Sequence, residues 1–380
     1  MTHESAVAFG LDPLWLSSGI LLATYVALLS ERIHRTVAAL LGAAAMIILG
    51  VLNQEQAFAG IDLNTIALLT GMMIIVSLTR KTGLFEFIAI WSAKRVRAHP
   101  AGILIGLALV TAVFSAFLDN LTTVLLVVPI ALLLADKLGV SPYPFLISQI
   151  LAANIGGTAT LIGDPPNILI GSATGLSFMQ FLTELGPAAV VVLVVMLAIV
   201  HLIWGRGLVA DPERRARIMA FREAESLTDR VLLAKALGVL ALVIFGFIIG
   251  EHYGIRPGTT AMAGAALLLL LAGVGHDREF SGRTVRDSFE DVEWPPLFFF
   301  MGLFVVVAGV EHAGLLDILA GELLAATGSD PAVTTYATLW LAAVVSAMID
   351  NIPFVATMIP LVETMEGPLG GSQALEPVWW

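Results

Sequence analysis

The 380 residues contain no cysteine. Disulfides, thiolate catalysis and cysteine-held metals are thereby excluded. Charge is also scarce: 13% of the residues are Asp, Glu, Lys or Arg, about half the share found in soluble domains. The seven His include no His-x-x-x-His pair, the spacing that puts two zinc ligands on one helical face. A net charge of −11 makes nucleic acid an unexpected partner, although in a membrane protein the placement of Lys and Arg says more than their sum. What fills the chain is apolar. Hydrophobic residues make up 58% and gather in runs that reach the ~17–25 residues of a membrane span. The expected fold class is an all-α polytopic membrane protein, with the lipid bilayer as its first partner.

The first apolar run, Leu14–Leu29, has no Lys or Arg before it and so no signal-peptide n-region. Arg32 and Arg35 follow, then the run Thr36–Leu52. Positive residues stay inside, so this loop reads as cytoplasmic and the N-terminus as outside, in the plasma or inner membrane. The loop Asn53–Asp62 has acids only, and Leu63–Leu78 crosses back to Arg80 and Lys81. Leu84–Arg97 reads as an amphipathic interfacial helix, with Leu84, Phe85, Phe87, Ile88 and Trp91 on its apolar side. Gly102 and Gly106 form a small-xxx-small pair, a mark of close helix packing. Spans are also expected over Leu185–Trp204, Val231–Gly250 and Thr259–Val274, and loops over Gly205–Arg230 and Gly275–Trp294.

Two polar stretches interrupt the oil. Ser115-Ala116-Phe117-Leu118-Asp119-Asn120-Leu121-Thr122-Thr123 precedes Pro129, and Ser346-Ala347-Met348-Ile349-Asp350-Asn351 precedes Pro360. A carboxylate at the bilayer centre costs ~2.5–3.5 kcal/mol on insertion scales, so intramembrane acids point to function. Residues 71–130 align with 302–361 without a gap, pairing Gly71/Gly302, Gly83/Gly314, Pro100/Pro331, Ser115/Ser346, Asp119/Asp350, Asn120/Asn351 and Pro129/Pro360. Around the first copy, residues 80–99 hold five Lys/Arg and one acid; the matching 311–330 hold four acids and no Lys or Arg. The copies therefore read as inverted-topology repeats, a build shared by many secondary transporters.

Parity of the basic loops makes 101–135 a re-entrant hairpin from the cytoplasm, with Asp119-Asn120 at its tip, and 332–365 one from outside. The two tips are expected to face each other within the membrane. Segment 145–175 reads as a broken transmembrane helix, interrupted at Gly156-Gly157-Thr158 and at Gly163-Asp164-Pro165-Pro166-Asn167. The layout is then a two-helix scaffold (1–52), repeat 1 (53–204), a cytoplasmic loop (205–230), two linking helices (231–274) and an incomplete repeat 2 (275–380). Carboxylates, amides and hydroxyls at the tips are hard ligands for small cations, and the absence of nearby Lys or Arg in the sequence favours a cation or proton there. Capping is the plainer role for Asp119 and Asp350, compatible with binding.

Asp119-Asn120-Leu121-Thr122-Thr123 and the run Asn154-Ile155-Gly156-Gly157-Thr158-Ala159-Thr160-Leu161-Ile162-Gly163-Asp164-Pro165-Pro166-Asn167 resemble the ion transporter superfamily. That superfamily includes citrate and dicarboxylate transporters, arsenite permeases, NhaD-type sodium/proton antiporters and the melanosomal P protein. The resemblance implies ion or substrate binding by Ser115, Asp119, Asn120, Thr122, Thr123, Asn154, Gly156, Gly157, Thr158, Thr160, Asp164, Asn167, Ser346, Asp350 and Asn351, with sodium at Asp119, Asn120, Asp350 and Asn351. It further implies a homodimer, alternating access, a small inorganic ion as substrate and no cofactor beyond Na+ or H+. Asp at the first tip position, in place of the Ser of the dicarboxylate branch, turns the expectation toward a sodium/proton antiporter. The alternative is an anion transporter for arsenite, citrate or a dicarboxylate. An intramembrane aspartyl protease is remote, because Leu161-Ile162-Gly163-Asp164 misses its Gly-x-Gly-Asp motif; the chain is not expected to be an enzyme. The second tip departs from the pattern, since Ile352-Pro353 replaces the Leu-Thr of the first. Trp380 aligns with Gln149, so the counterpart of the 154–167 motif is expected beyond this chain.

Overall fold

A computed structural model describes residues 7, 10–275 and 278–379; Trp380 lies outside the described residues. Every regular element among them is a helix. The order is α1 (Pro13–Ser30), α2 (Arg35–Ile48), α3 (Gln54–Ala59), α4 (Leu63–Arg80), α5 (Leu84–Arg95), α6 (Pro100–Ser115) and α7 (Asn120–Leu138). Then come α8 (Tyr143–Thr158), α9 (Pro165–Thr174), α10 (Phe178–Val200, extended by a π turn at His201–Gly205), α11 (Pro212–Met219), α12 (Arg230–Gly250), α13 (Pro257–Gly273) and α14 (Arg278–Glu290). The last are α15 (Trp294–His312), α16 (Leu315–Thr327), α17 (Pro331–Ser346), α18 (Asn351–Thr364), α19 (Glu366–Leu369) and α20 (Ser372–Trp379). Six are long and apolar enough to cross a membrane: α1, α4, α7, α10 with its π turn, α12 and α15.

The stretches read as loops hold short helices. α3 lies in 53–62, α11 in 205–230 and α14 in 275–294. Their starts are local signals that hydropathy does not register. Asn53 and Gln56 form a capping box before α3, and Asp211 caps α11 with Pro212 at its first position.

The internal repeat is visible in the elements. α6 and α17 each begin with Pro at the first position and end on Ser115 and Ser346; α7 and α18 are each capped by an Asp and carry an internal Pro. Gly83 and Gly314 stand before α5 and α16 in the same left-handed conformation, φ 77° and 81°. Only glycine adopts that region at no steric cost.

Residues 1–66, 172–175 and 293–380 form one compact unit, and residues 67–171 and 176–292 the other. In the first, α1 and α2 pack on α15 through a core that includes Ile20, Ala43, Met46, Val305, Val306 and Val310. A Cβ at Gly302 would lie 2.7 Å from the Ala39 carbonyl carbon, so the two backbones touch. In the second unit, α13 packs on both α12 and α4, and a Cβ at Gly71 would lie 2.6 Å from the Ala261 carbonyl carbon. The repeated glycine thus does one job twice. It seats the leading helix of each copy on a helix taken from the other half of the chain, α15 on α2 and α4 on α13. Between apolar helices in lipid, such close backbone approach supplies the packing that a hydrophobic drive does not.

Within the second unit, α6 and α7 meet one apolar cluster at their outer ends: Ile103 and Leu104 of α6 lie with Leu134 and Leu138 of α7, Phe145 of α8 and Ile218 of α11. Gly102 packs on Val96, and Gly106 on Ser92, as the small-residue pair suggested. The structure shows which side of α5 meets protein. Phe85, Ala89, Ser92 and Ala93 are buried, whereas Trp91 is exposed and lies under the Arg95 guanidinium, 5.1 Å from the ring centroid. Small residues let α5 approach α6, which leaves the bulky side outward; an apolar stripe in such a protein does not say which side is protein and which is lipid.

The basic segments of the second unit are tied together. Lys94 Nζ donates to Phe221 O (3.1 Å) and Glu223 Oε2 (2.5 Å), Arg215 Nη2 to Arg97 O (3.0 Å), and Thr228 Oγ1 to Lys81 O (2.7 Å). The 80–99 and 205–230 stretches therefore share one end of this unit, the arrangement that a common cytoplasmic side requires.

Candidate functional site

The first tip is built by helix ends. α6 stops at Ser115, a turn follows, and Asp119 starts α7 by accepting the Thr122 amide at its Oδ1 (2.8 Å). Such a cap stabilises a helix by about 1 kcal/mol. Asn120 then stands at the first position of α7, and its Nδ2 donates both to Asn154 Oδ1 (3.1 Å) and to Asp164 Oδ1 (3.3 Å). Three of the predicted binding residues are thus drawn into one polar cluster by a single amide. Asp119 is the adjacent residue, half-buried, and no Lys or Arg forms an ion pair with it among the described residues.

The broken helix brings Asn154 and Asp164 there. α8 ends at Thr158, residues 159–164 run irregularly, and α9 resumes at Pro165, which needs no amide donor at a helix start. The freed backbone groups find side-chain partners. Asn167 Nδ2 donates to Thr158 O (3.1 Å) and Thr160 O (2.9 Å), and Thr160 Oγ1 donates to Ala116 O. Irregular backbone at membrane depth is tolerable when satisfied in this way.

Several predicted ligands are braces. The Ser115 hydroxyl is fully buried and donates to Ala153 O (2.7 Å), locking the end of α6 to α8. Thr158 Oγ1 donates back to Asn154 O (2.9 Å). At Gly156 a Cβ would lie 2.2 Å from Ala112 O, and at Gly157 2.5 Å from Gly163 O, so both are close-approach positions. Thr122 serves the cap through its amide. The Thr123 hydroxyl is buried with no hydrogen-bond partner among the described residues.

The second tip, in the other compact unit, is held differently. Asp350 caps α18 weakly, with Ile352 N 3.5 Å from Oδ1, and its Oδ2 meets Arg35 Nη1 at 3.2 Å. Ser346 Oγ donates to Asn351 Oδ1 (2.6 Å). Tyr25 of α1 donates its hydroxyl proton to Pro353 O (2.8 Å) and lies 2.5 Å from Thr357 Oγ1. The expectation that no Lys or Arg stands near the tips therefore fails at Asp350. Arg35 is 315 residues away in sequence and was read only as a loop charge. Tyr25 was missed for the same reason, and neither carries a local signal. Both side chains of the Arg35–Asp350 pair are about half exposed, a setting in which ion pairs contribute ~0–1 kcal/mol.

Among the described residues no three His, Cys, Asp or Glu side chains converge as a metal cluster. Any cation at the first tip would rest on carboxylate, amide and backbone oxygens, the donor set of sodium rather than of zinc.

The citrate transporter family model matches residues 25–380. An uncharacterized transporter of Mycobacterium tuberculosis is 41% identical over 365 residues, covering 95% of this chain and 83% of its own. A 46 kDa membrane protein of Mycobacterium leprae is 40% identical with the same coverage. The human P protein is 30% identical over 430 residues, covering 91% of this chain and 50% of its own. With helices apolar enough to span and a satisfied break between α8 and α9, the match places this chain in the citrate transporter family of the ion transporter superfamily, as a multi-pass membrane transporter.

Proposed function

We propose that the protein is a secondary cation exchanger of the sodium/proton antiporter kind, working by alternating access with Na+ or H+ as the coupling ion. The observation that carries this reading is the first tip. Asp119 caps α7 without a pairing Lys or Arg among the described residues, next to an amide that joins Asn154 and Asp164. A dianionic substrate would meet carboxylates there, whereas a small cation would meet oxygen ligands. In this proposal the 101–135 and 332–365 segments are re-entrant from opposite sides, the N-terminus is outside, the plasma or inner membrane is the location, and the protein works as a homodimer without a cofactor.

One observation favours the second reading, an anion transporter: Arg35 stands beside the second tip, where it could receive a carboxylate or oxyanion. Proteoliposomes of the full chain separate the two. The proposal expects a sodium gradient to drive proton movement, no citrate or arsenite uptake, and loss of exchange in Asp119→Asn with normal membrane insertion. Citrate or arsenite uptake, or full exchange in Asp119→Asn, would reject it.

A further inference from the structure

We infer that Arg35 is a built-in counter-cation of the second tip, a competitor that a transported cation must displace from Asp350. The inference rests on the proposed cation exchange and makes the two tips unequal. Pro353 sets the second tip apart. At the first tip the third residue after Asp119 is Thr122, whose amide donates to Asp119 Oδ1 at 2.8 Å. The matching place after Asp350 is Pro353, which has no amide proton. Asp350 is left with the Ile352 amide at 3.5 Å, too long for a good bond. A carboxylate deprived of its cap keeps lone pairs for another donor, and Arg35 Nη1 supplies one at 3.2 Å.

Pro353 also fixes the place. Its carbonyl accepts the Tyr25 hydroxyl at 2.8 Å, so the start of α18 is tied to α1 while Arg35 reaches it from α2. Arg35 is the first residue of α2, where the partial positive charge of the helix start disfavours a cation. Asp350 offsets that cost. Asn351 has one of its two carbonyl lone pairs engaged by Ser346 Oγ at 2.6 Å.

The pair is displaceable. Its side chains are 56% and 47% exposed, so the guanidinium can move off Asp350 without leaving a bare charge sealed inside protein. A cation arriving at Asp350 competes with Arg35, whereas an anion would be drawn to Arg35. The two cases give opposite effects when Arg35 loses its charge.

The test measures the sodium dependence of exchange in proteoliposomes of the full chain. Arg35→Gln is expected to lower the KM for sodium about two- to fivefold, the size that a half-exposed pair permits, with kcat changed less. Arg35→Lys should stay near wild type. Pro353→Ala restores the missing amide donor and should move KM in the same direction as Arg35→Gln. An unchanged or raised KM in Arg35→Gln overturns the inference. If that variant does not insert, an unchanged KM in Pro353→Ala overturns it instead. No sodium-dependent exchange in the wild type is a different result, which rejects the proposed function.

Discussion

Two aspartates in duplicated Asp-Asn settings have different chemistry, and the residue three places on sets them apart. Thr122 gives Asp119 an amide that Pro353 denies to Asp350. Both carboxylates were legible in the sequence because they are duplicated in register and sit in apolar text. Arg35 was not, because an ion pair across 315 residues leaves no local pattern. A third aspartate lies outside the spans. Burial alone would raise the Asp291 carboxyl, but hydrogen bonds from Ser77 (2.7 Å) and Lys81 and the charges of Lys81 and Arg80 outweigh it and hold it below its ordinary value. A depressed folded-state value contributes stability above the unfolded carboxylate's ~3.9, lost as pH falls through the folded value. Thermal unfolding in detergent should therefore show wild type losing stability below about pH 4, while Asp291→Asn starts lower and changes less over that window. Parallel curves for the two proteins would contradict this assignment.

At the scale of elements, the broken helix was the clearest prediction. Gly156-Gly157 and Pro165-Pro166 bracket the gap between α8 and α9, and Asn167 satisfies the freed carbonyls. Its glycines have a packing task. Gly156→Ala would place a Cβ 2.2 Å from Ala112 O, forcing α8 off α6. Overpacking of this kind costs ~1–3 kcal/mol. The expected outcome is a lower Tm in detergent, whereas Gly282→Ala on α14, with open space at its Cβ, leaves Tm unchanged or raised. Equal Tm values for the two variants would show that the α6–α8 contact is slack. What the sequence leaves open is which side of α5 packs on protein. A stripe of large apolar residues is the signal in water, but here alanine and serine face the protein and Trp91 faces outward. Hydropathy does not reveal the short helices inside the expected loops, since caps announce α3 and α11.

At the scale of the whole molecule, the repeat carries the account. Helix ranges, Pro starts, Asp caps and left-handed glycines recur in both copies, and a packing glycine seats each copy's leading helix on a helix from the other half of the chain. That exchange was not visible in the sequence, where each helix pair adjoins its own copy. The opposite insertion of the copies rests on charge: basic around the first, acidic around the second. The chain's lack of cysteine makes the decisive measurement clean. Glu86 and Asp317 are equivalent first-turn acids of α5 and α16, both exposed. Single variants Glu86→Cys and Asp317→Cys can be probed in intact cells with a membrane-impermeant maleimide. Opposite insertion predicts labelling of Asp317→Cys from outside and of Glu86→Cys only after permeabilisation. Labelling of both from the same side would contradict it, and with it the reading of the two Asp-Asn tips as inverted partners.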